Sequence, residues 1–196
     1  MTTPEPADAT VFSEVVTPDE AAALRDHLDR TYSFPWNVAR TRSFDNGTVV
    51  TAQWPREWEP RLLDLAQQAG AWFGLPVERI GGSIGRYDVG GLRQWHRDRE
   101  PVGMPSTAQR QLSLSIMLSC PQRDFTGGDL EMTTDAPRLA SPGHWSEPDH
   151  PTRINFAEYD AAAYTSATLH QVKPVTSGSR YVVVIFAGTA GRYTLG

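Results

Sequence analysis

The chain has 196 residues, is 39% hydrophobic with six Trp, and carries a formal charge of -5 from 18 basic and 23 acidic side chains. That size and composition suit a single folded domain with a sizeable core and not a disordered chain. The acidic balance gives no support to a nucleic-acid groove or an anionic membrane surface, and Cys120, the only cysteine, leaves no intramolecular disulfide and argues against a cysteine-based zinc site.

Residues 1–10 are read as a flexible tail, and residues 11–196 as one domain. The Thr/Pro/Ala/Glu-rich start lacks the basic and apolar regions of a signal peptide, and no apolar stretch approaches membrane-spanning length. A cytoplasmic location, with neither membrane nor nucleic acid as partner, is therefore expected. Thr17-Pro18-Asp19-Glu20 has the form of a capping box, followed at helical spacing by Ala21, Leu24 and Leu28. A second helix is predicted from Glu57 to Phe73, with Trp58, Leu62, Leu65, Ala66, Ala69, Trp72 and Phe73 on one stripe. Trp72 and Phe73 are expected to pack against a sheet.

From about residue 78 the hydrophobic period changes to two. Strands are predicted at Ile80 to Asp88, Gln111 to Ser119, Asp129 to Thr134, Ile154 to Tyr159, Ala163 to Ala167, His170 to Thr176 and Ser179 to Ala187. Turns rich in Gly, Pro and Asp separate them. Two helices followed by many short strands predict a mainly β fold with flanking helices, an α+β arrangement. The expected form is a double-stranded β-helix, a cupin-like jelly roll, with the N-terminal helices packed on one sheet. In the strand around Leu112–Leu118, four aliphatic residues share one face, and Ser113, Ser115, Met117 and Ser119 share the other. The apolar face must meet a core; the small polar face is either solvated or lines a cavity within the roll.

Five histidines are present. His27 is expected on the surface of the first helix, and His144 and His150 lie in a Pro/Ser/Gly-rich loop that would hold a ligand poorly. His96 and Asp98, two residues apart on an extended segment, point to one side and can reach one cation. With one distant His they form the two-His-one-carboxylate facial triad, which leaves three metal positions open. His170 is the candidate, because a strand, tight turn and strand from Leu169 to Phe186 would fold Arg180 back beside it. An arginine directed into an apolar interior needs an anion, and its planar fork suits a carboxylate.

These elements, in this order, resemble the 2-oxoglutarate/Fe(II) oxygenase superfamily, in its prolyl-4-hydroxylase-like branch. The resemblance spans roughly Gly85 to Gly188: Arg86-Tyr87, His96-x-Asp98, a strand opening with Arg110, Gly127-Gly128-Asp129-Leu130, Leu169-His170, Pro174-Val175-Thr176, Gly178 and Arg180. It implies that His96, Asp98 and His170 ligate Fe(II), that Arg180 pairs with the distal carboxylate of 2-oxoglutarate, and that Tyr87 lies against this co-substrate. It also implies O2 as oxidant, stimulation by ascorbate, and succinate and CO2 as co-products. Some members carry a Tyr where Met117 stands here; Ser113 or Ser115, on the same face, would then supply a hydroxyl. Asp98 favours hydroxylation over halogenation, since halogenases of the superfamily have a small residue in its place.

The expected activity is hydroxylation of an aliphatic C–H of a small, amino-acid-derived molecule. Hydroxylation of a peptidyl proline and a non-catalytic metal- or sugar-binding jelly roll are the alternatives. Arg93 and Arg99 are candidates for holding an anionic substrate, whereas alternation turns Arg97 away from the metal. The loop from Asp135 to Thr152 is long enough to be a lid, with Trp36 and Trp145 as candidate lid aromatics.

Overall fold

Helix α1 (Pro18–Ser33) starts at the predicted capping box: the Thr17 amide donates to Glu20 Oε2 at 2.7 Å and the Glu20 amide to Thr17 Oγ1 at 3.2 Å. It buries Ala21, Leu24 and Leu28. A 3-10 turn (Arg56–Trp58) leads into α2 (Glu59–Phe73), which buries Leu62, Leu65, Ala66 and Ala69 and ends at Gly74 in a left-handed conformation. This computed structural model describes residues 9–33, 40–42, 49–99, 109–134, 139–141 and 144–189.

The strands run in chain order β1 (Ala9–Phe12), β2 (Arg40–Arg42), β3 (Val49–Ala52), β4 (Arg79–Tyr87) and β5 (Arg93–His96). They continue with β6 (Leu112–Met117), β7 (Phe125–Gly127), β8 (Leu130–Thr133), β9 (Leu139–Ser141) and β10 (His144–Trp145). The last are β11 (Thr152–Ile154), β12 (Ala161–Thr165), β13 (Leu169–Val172), β14 (Val175–Gly178) and β15 (Arg180–Gly188). Among the described residues a seven-stranded sheet has the order β1-β12-β6-β15-β4-β3-β2, and a four-stranded sheet the order β11-β8-β13-β5. Two antiparallel ribbons, β14–β7 and β10–β9, complete the roll.

Each face of the large sheet has its own core. Leu112, Leu114, Ile116 and Leu118 pack outward with Ile84, Val183 and Ile185 against Leu24, Leu28, Leu62 and Ala66 of the helices. Met117, Ala162, Tyr164 and Val182 point inward and meet Leu130, Met132 and Val172 of the small sheet. All six residues of β6 are buried, so its serine face lines the interior and is not solvated. The architecture is the expected jelly roll with helices on one sheet.

Several local expectations are corrected. Trp72 is 67% exposed and does not pack on the sheet, whereas Phe73 does. At about 100° per residue Trp72 lies roughly a quarter turn off the line through Leu62, Ala66 and Phe73, at the margin of the stripe. The strand expected from Ile154 to Tyr159 stops at Ile154; beyond it, the Asp160 carboxylate accepts the Ala157 and Glu14 amides and shapes a loop. The strand expected from His170 to Thr176 breaks at Lys173-Pro174, after which β14 turns away to pair with β7. Consequently β13 and β15 do not form a hairpin but lie in opposite sheets. Ala9 and Thr10, read as part of a tail, pair with Ala163 and Tyr164 through β1; residues 1–8 lie outside the described residues.

Candidate active site

His96 ends β5 and His170 lies in β13, directly paired across the small sheet. That register brings their ring centroids to 4.2 Å. Asp98 follows just beyond β5, with Oδ1 3.5 Å from His96 Nε2 and Oδ2 3.5 Å from His170 Nε2. The ligating atoms of the three residues all lie within 4.8 Å of one another, and no other such group occurs among the described residues. His27 instead meets the Gln53 carbonyl and His150 is exposed.

Backbone geometry sets the tautomers. His96 Nδ1 lies 2.7 Å from the Gln94 carbonyl oxygen and His170 Nδ1 2.9 Å from that of Thr168, so each Nδ1–H donates to a carbonyl. Both Nε2 lone pairs are then left facing Asp98, the orientation that metal-bound imidazoles need. Burial pushes the His170 pKa down to about 4, with His96 adding to the shift and Asp98 opposing it, so the ring is neutral near pH 7. Burial alone would raise the Asp98 pKa, but His170 and His96, helped by the Ser113 hydroxyl, hold the carboxyl well below its ordinary range. Asp98 Oδ2 is buried without a hydrogen-bond partner. A buried carboxylate met by the Nε2 atoms of two imidazoles is a donor set that a divalent cation would complete.

The segment carrying Asp98 is braced from the large sheet. Ser113 Oγ lies 2.8 Å from Ser166 Oγ, the Ser166 carbonyl accepts the Arg99 amide, and Arg110 Nη1 donates to the Asp98 carbonyl at 3.3 Å. The Arg110 guanidinium sits 3.8 Å from the centre of the Phe186 ring. Ser113, considered above as a co-substrate residue, is thus placed against Asp98 and Ser166, while Ser115 lies beside Tyr164.

Arg180 opens β15, opposite Tyr87 of β4, with its guanidinium 5.4 Å from the Tyr87 ring centre. It is 1% exposed, forms no ion pair among the described residues, and its Nε has no hydrogen-bond partner. Gly127 and Gly128 both have positive φ, and a Cβ on Gly128 would lie 2.9 Å from Arg180 Cδ, so the glycine turn makes room for the arginine. Met117, Val182 and Val184 line the interior beside it. A cavity of about 600 Å³ around Phe125, Leu130, Phe156 and Tyr159 includes none of the triad but is also lined by Met117 and Gly128.

Arg93 is half-buried and its charge reaches His170, whereas Arg99 is exposed. Arg97 faces away from the metal side, under the Trp145 ring at 4.9 Å, and Trp95 Nε1 donates to Glu147 at 3.0 Å. These contacts fasten the β9–β10 ribbon to β5; Trp36 lies outside the described residues. Sequence reasoning missed the carbonyls of Gln94 and Thr168, the Ser166 brace and Tyr164. Only Tyr164 left a signal, as the one aromatic in an alanine-rich strand six residues before His170.

Comparison with known proteins gives this geometry its class. Residues 82–188 match the family model of the 2OG-Fe(II) oxygenase superfamily, and the chain belongs to that superfamily. A PKHD-type hydroxylase of Delftia acidovorans is 27% identical over 187 residues, covering 85% of this chain and 72% of the relative. In fold the chain is similar to a Pseudomonas putida prolyl-4-hydroxylase, with a TM-score of 0.69 at 14% identity over 94% of each chain. It is equally similar to the non-haem α-ketoglutarate-dependent carbocyclase SnoK of nogalamycin biosynthesis, with a TM-score of 0.69 at 15% identity over 94% of this chain and 81% of that one. The protein is a 2-oxoglutarate-dependent dioxygenase with Fe(II), 2-oxoglutarate and O2 as its cofactor set, which sets aside the non-catalytic jelly roll. No helix among the described residues is long and apolar enough to cross a membrane.

Proposed function

We propose that this dioxygenase hydroxylates an aliphatic C–H of a small, amino-acid-derived molecule. The observation that carries the reading is the pairing of an intact triad with a buried, unpartnered guanidinium in the same interior. His96, Asp98 and His170 are the iron ligands. When bound, ferrous iron with 2-oxoglutarate and O2 supplies the oxidising chemistry that inserts one oxygen atom into the substrate and releases succinate and CO2.

The protein's part is positioning and shielding. Arg180 holds the far carboxylate of 2-oxoglutarate through two parallel hydrogen bonds, satisfying a charge that the fold leaves without a partner. Tyr87 covers the guanidinium, and Met117 and Val182 keep water from it. Ser113 acts through Asp98, holding the carboxylate in place. Arg93, half-buried and close enough for His170 to feel its charge, is the better candidate for an acidic substrate group than the exposed Arg99.

The similarity to a PKHD-type hydroxylase and a prolyl-4-hydroxylase favours a second reading in which the substrate is a peptidyl proline. One assay separates the two. Succinate is measured with Fe(II), ascorbate, 2-oxoglutarate and O2 against free amino acids, their derivatives and proline-containing peptides. A small molecule that stimulates succinate and gains one oxygen by mass spectrometry supports the first reading; stimulation by peptides alone supports the second. Succinate release no greater than that of His170→Ala across the panel, without 2-oxoglutarate binding, would overturn both.

A further inference from the structure

Arg86 and Tyr87 end β4, and Arg180 and Tyr181 open β15, with Arg180 opposite Tyr87 and Tyr181 opposite Arg86. Alternation turns these four side chains to two faces of the large sheet. Tyr87 packs in the inner core with the Arg180 guanidinium against its ring, while Tyr181 packs in the outer core with the helices. On that outer face the Arg86 side chain, 18% exposed, meets two carboxylates. Its Nη1 donates to Asp29 Oδ1 of α1 at 2.7 Å, and its Nε lies 3.1 Å from Asp88 Oδ1. Both carboxylates also hold a neighbour of Arg180. The Tyr181 hydroxyl donates to Asp29 at 3.0 and 3.1 Å, and the Ser179 hydroxyl donates to Asp88 Oδ1 at 2.7 Å. The Tyr181 amide donates to the Ser119 hydroxyl at 2.9 Å, which continues the ladder past Met117, the last residue of β6.

Arg180 does little to fix itself: it forms no ion pair among the described residues, and its Nε has no hydrogen-bond partner. A two-bond hold on a carboxylate needs the guanidinium within about 0.5 Å of its productive position, so the seat depends on the backbone that presents it. We propose that Arg86 is a positioning residue of the co-substrate seat, the centre of a clamp with Asp29, Asp88, Ser179 and Tyr181 that fixes β4 and β15 around Tyr87 and Arg180. The inference rests on the reading of Arg180 as the anchor of the far carboxylate. Arginine suits the task because its planar fork serves two carboxylates in fixed directions, which a lysine ammonium does not. Asp29 brings α1 into the clamp, so a helix on the outer face helps to set the geometry of a group buried on the inner one.

Calorimetric titration of 2-oxoglutarate into the Mn(II)-loaded protein without O2 tests it. Arg86→Met keeps an unbranched side chain and removes the fork. Its Kd for 2-oxoglutarate is expected to rise about fivefold or more, with the Mn(II) Kd within about twofold of wild type. Asp29→Asn, a milder change at a partly exposed position, is expected to raise the same Kd about two- to threefold. Arg86→Lys should fall between wild type and Arg86→Met. A double-mutant cycle separates positioning from general loosening. In an Arg180→Met background, Arg86→Met should add little, because the group it positions is gone; an undiminished further loss there would overturn the role of Arg86. Wild-type affinity in Arg86→Met and Asp29→Asn, while Arg180→Met weakens binding, would overturn the clamp alone, as would Mn(II) affinity falling in step with that for 2-oxoglutarate. A wild-type protein that binds Mn(II) but no 2-oxoglutarate would overturn the proposed function, and this inference with it.

Discussion

Arg180 is a buried cation that forms no ion pair among the described residues, with Asp129 near enough only to act on it through space, so in the ligand-free protein it opposes folding more than it supports it. Arg180→Met should therefore leave the melting temperature unchanged or higher while raising the 2-oxoglutarate Kd by about ten- to a hundredfold, the equivalent of about 1.5–3 kcal/mol. Calorimetry and a thermal melt on the same samples check both parts; loss of stability with retained affinity would remove Arg180 from the co-substrate seat. Gly128 makes a related case. A Cβ there would crowd Arg180 Cδ at 2.9 Å in a left-handed conformation. Gly128→Ala should weaken 2-oxoglutarate several-fold and leave metal affinity near wild type. At this scale the sequence was informative wherever chemistry restricts residue type: an imidazole two positions from a carboxylate, and an arginine within an apolar strand. It was silent on the Gln94 and Thr168 carbonyls that fix the imidazoles, because any residue has a carbonyl. It also could not distinguish Ser113, which supports Asp98, from Ser115, which lies beside Tyr164.

The two helices show how far periodicity carries. The Thr17–Glu20 box and the stripe from Leu62 to Phe73 were legible because capping and amphipathicity are local. Trp72 was misplaced because a stripe defines a centre better than its edges. Leu62→Ala should cost about 2–5 kcal/mol through the cavity it opens beneath α2. Trp72→Ala, at an exposed position, should change stability by about 0.5 kcal/mol or less. Urea denaturation of the two variants measures the contrast. Strands were legible where alternation persists over several residues, as in β4, β6 and β15. They were missed where three or four residues suffice, as in β3 and β7, whose existence depends on partners distant in sequence.

The whole molecule places its chemistry between two sheets. β5 and β13 of the small sheet carry the triad's histidines, and β15 and β12 of the large sheet carry Arg180 and Tyr164. The sequence indicated a roll but not this division, since it suggested a hairpin joining His170 to Arg180. Both instead lie near Tyr164 because the two sheets face each other, a product of the complete strand order. A ligand set that bridges the sheets should stabilise them together. At 100 times Kd, 2-oxoglutarate added to the Mn(II)-loaded protein should contribute about 2.7 kcal/mol, a rise in melting temperature of roughly 5–10 °C. Arg180→Met should abolish that increment and retain the one due to Mn(II). The most direct test of the account is anaerobic Fe(II) binding, measured as metal per chain at equilibrium for the wild type and for His96→Ala, Asp98→Ala and His170→Ala. One tightly held iron per wild-type chain, lost or greatly weakened in each variant, is the expected result. Retention of that iron by all three folded variants would mean that these side chains do not form the metal centre.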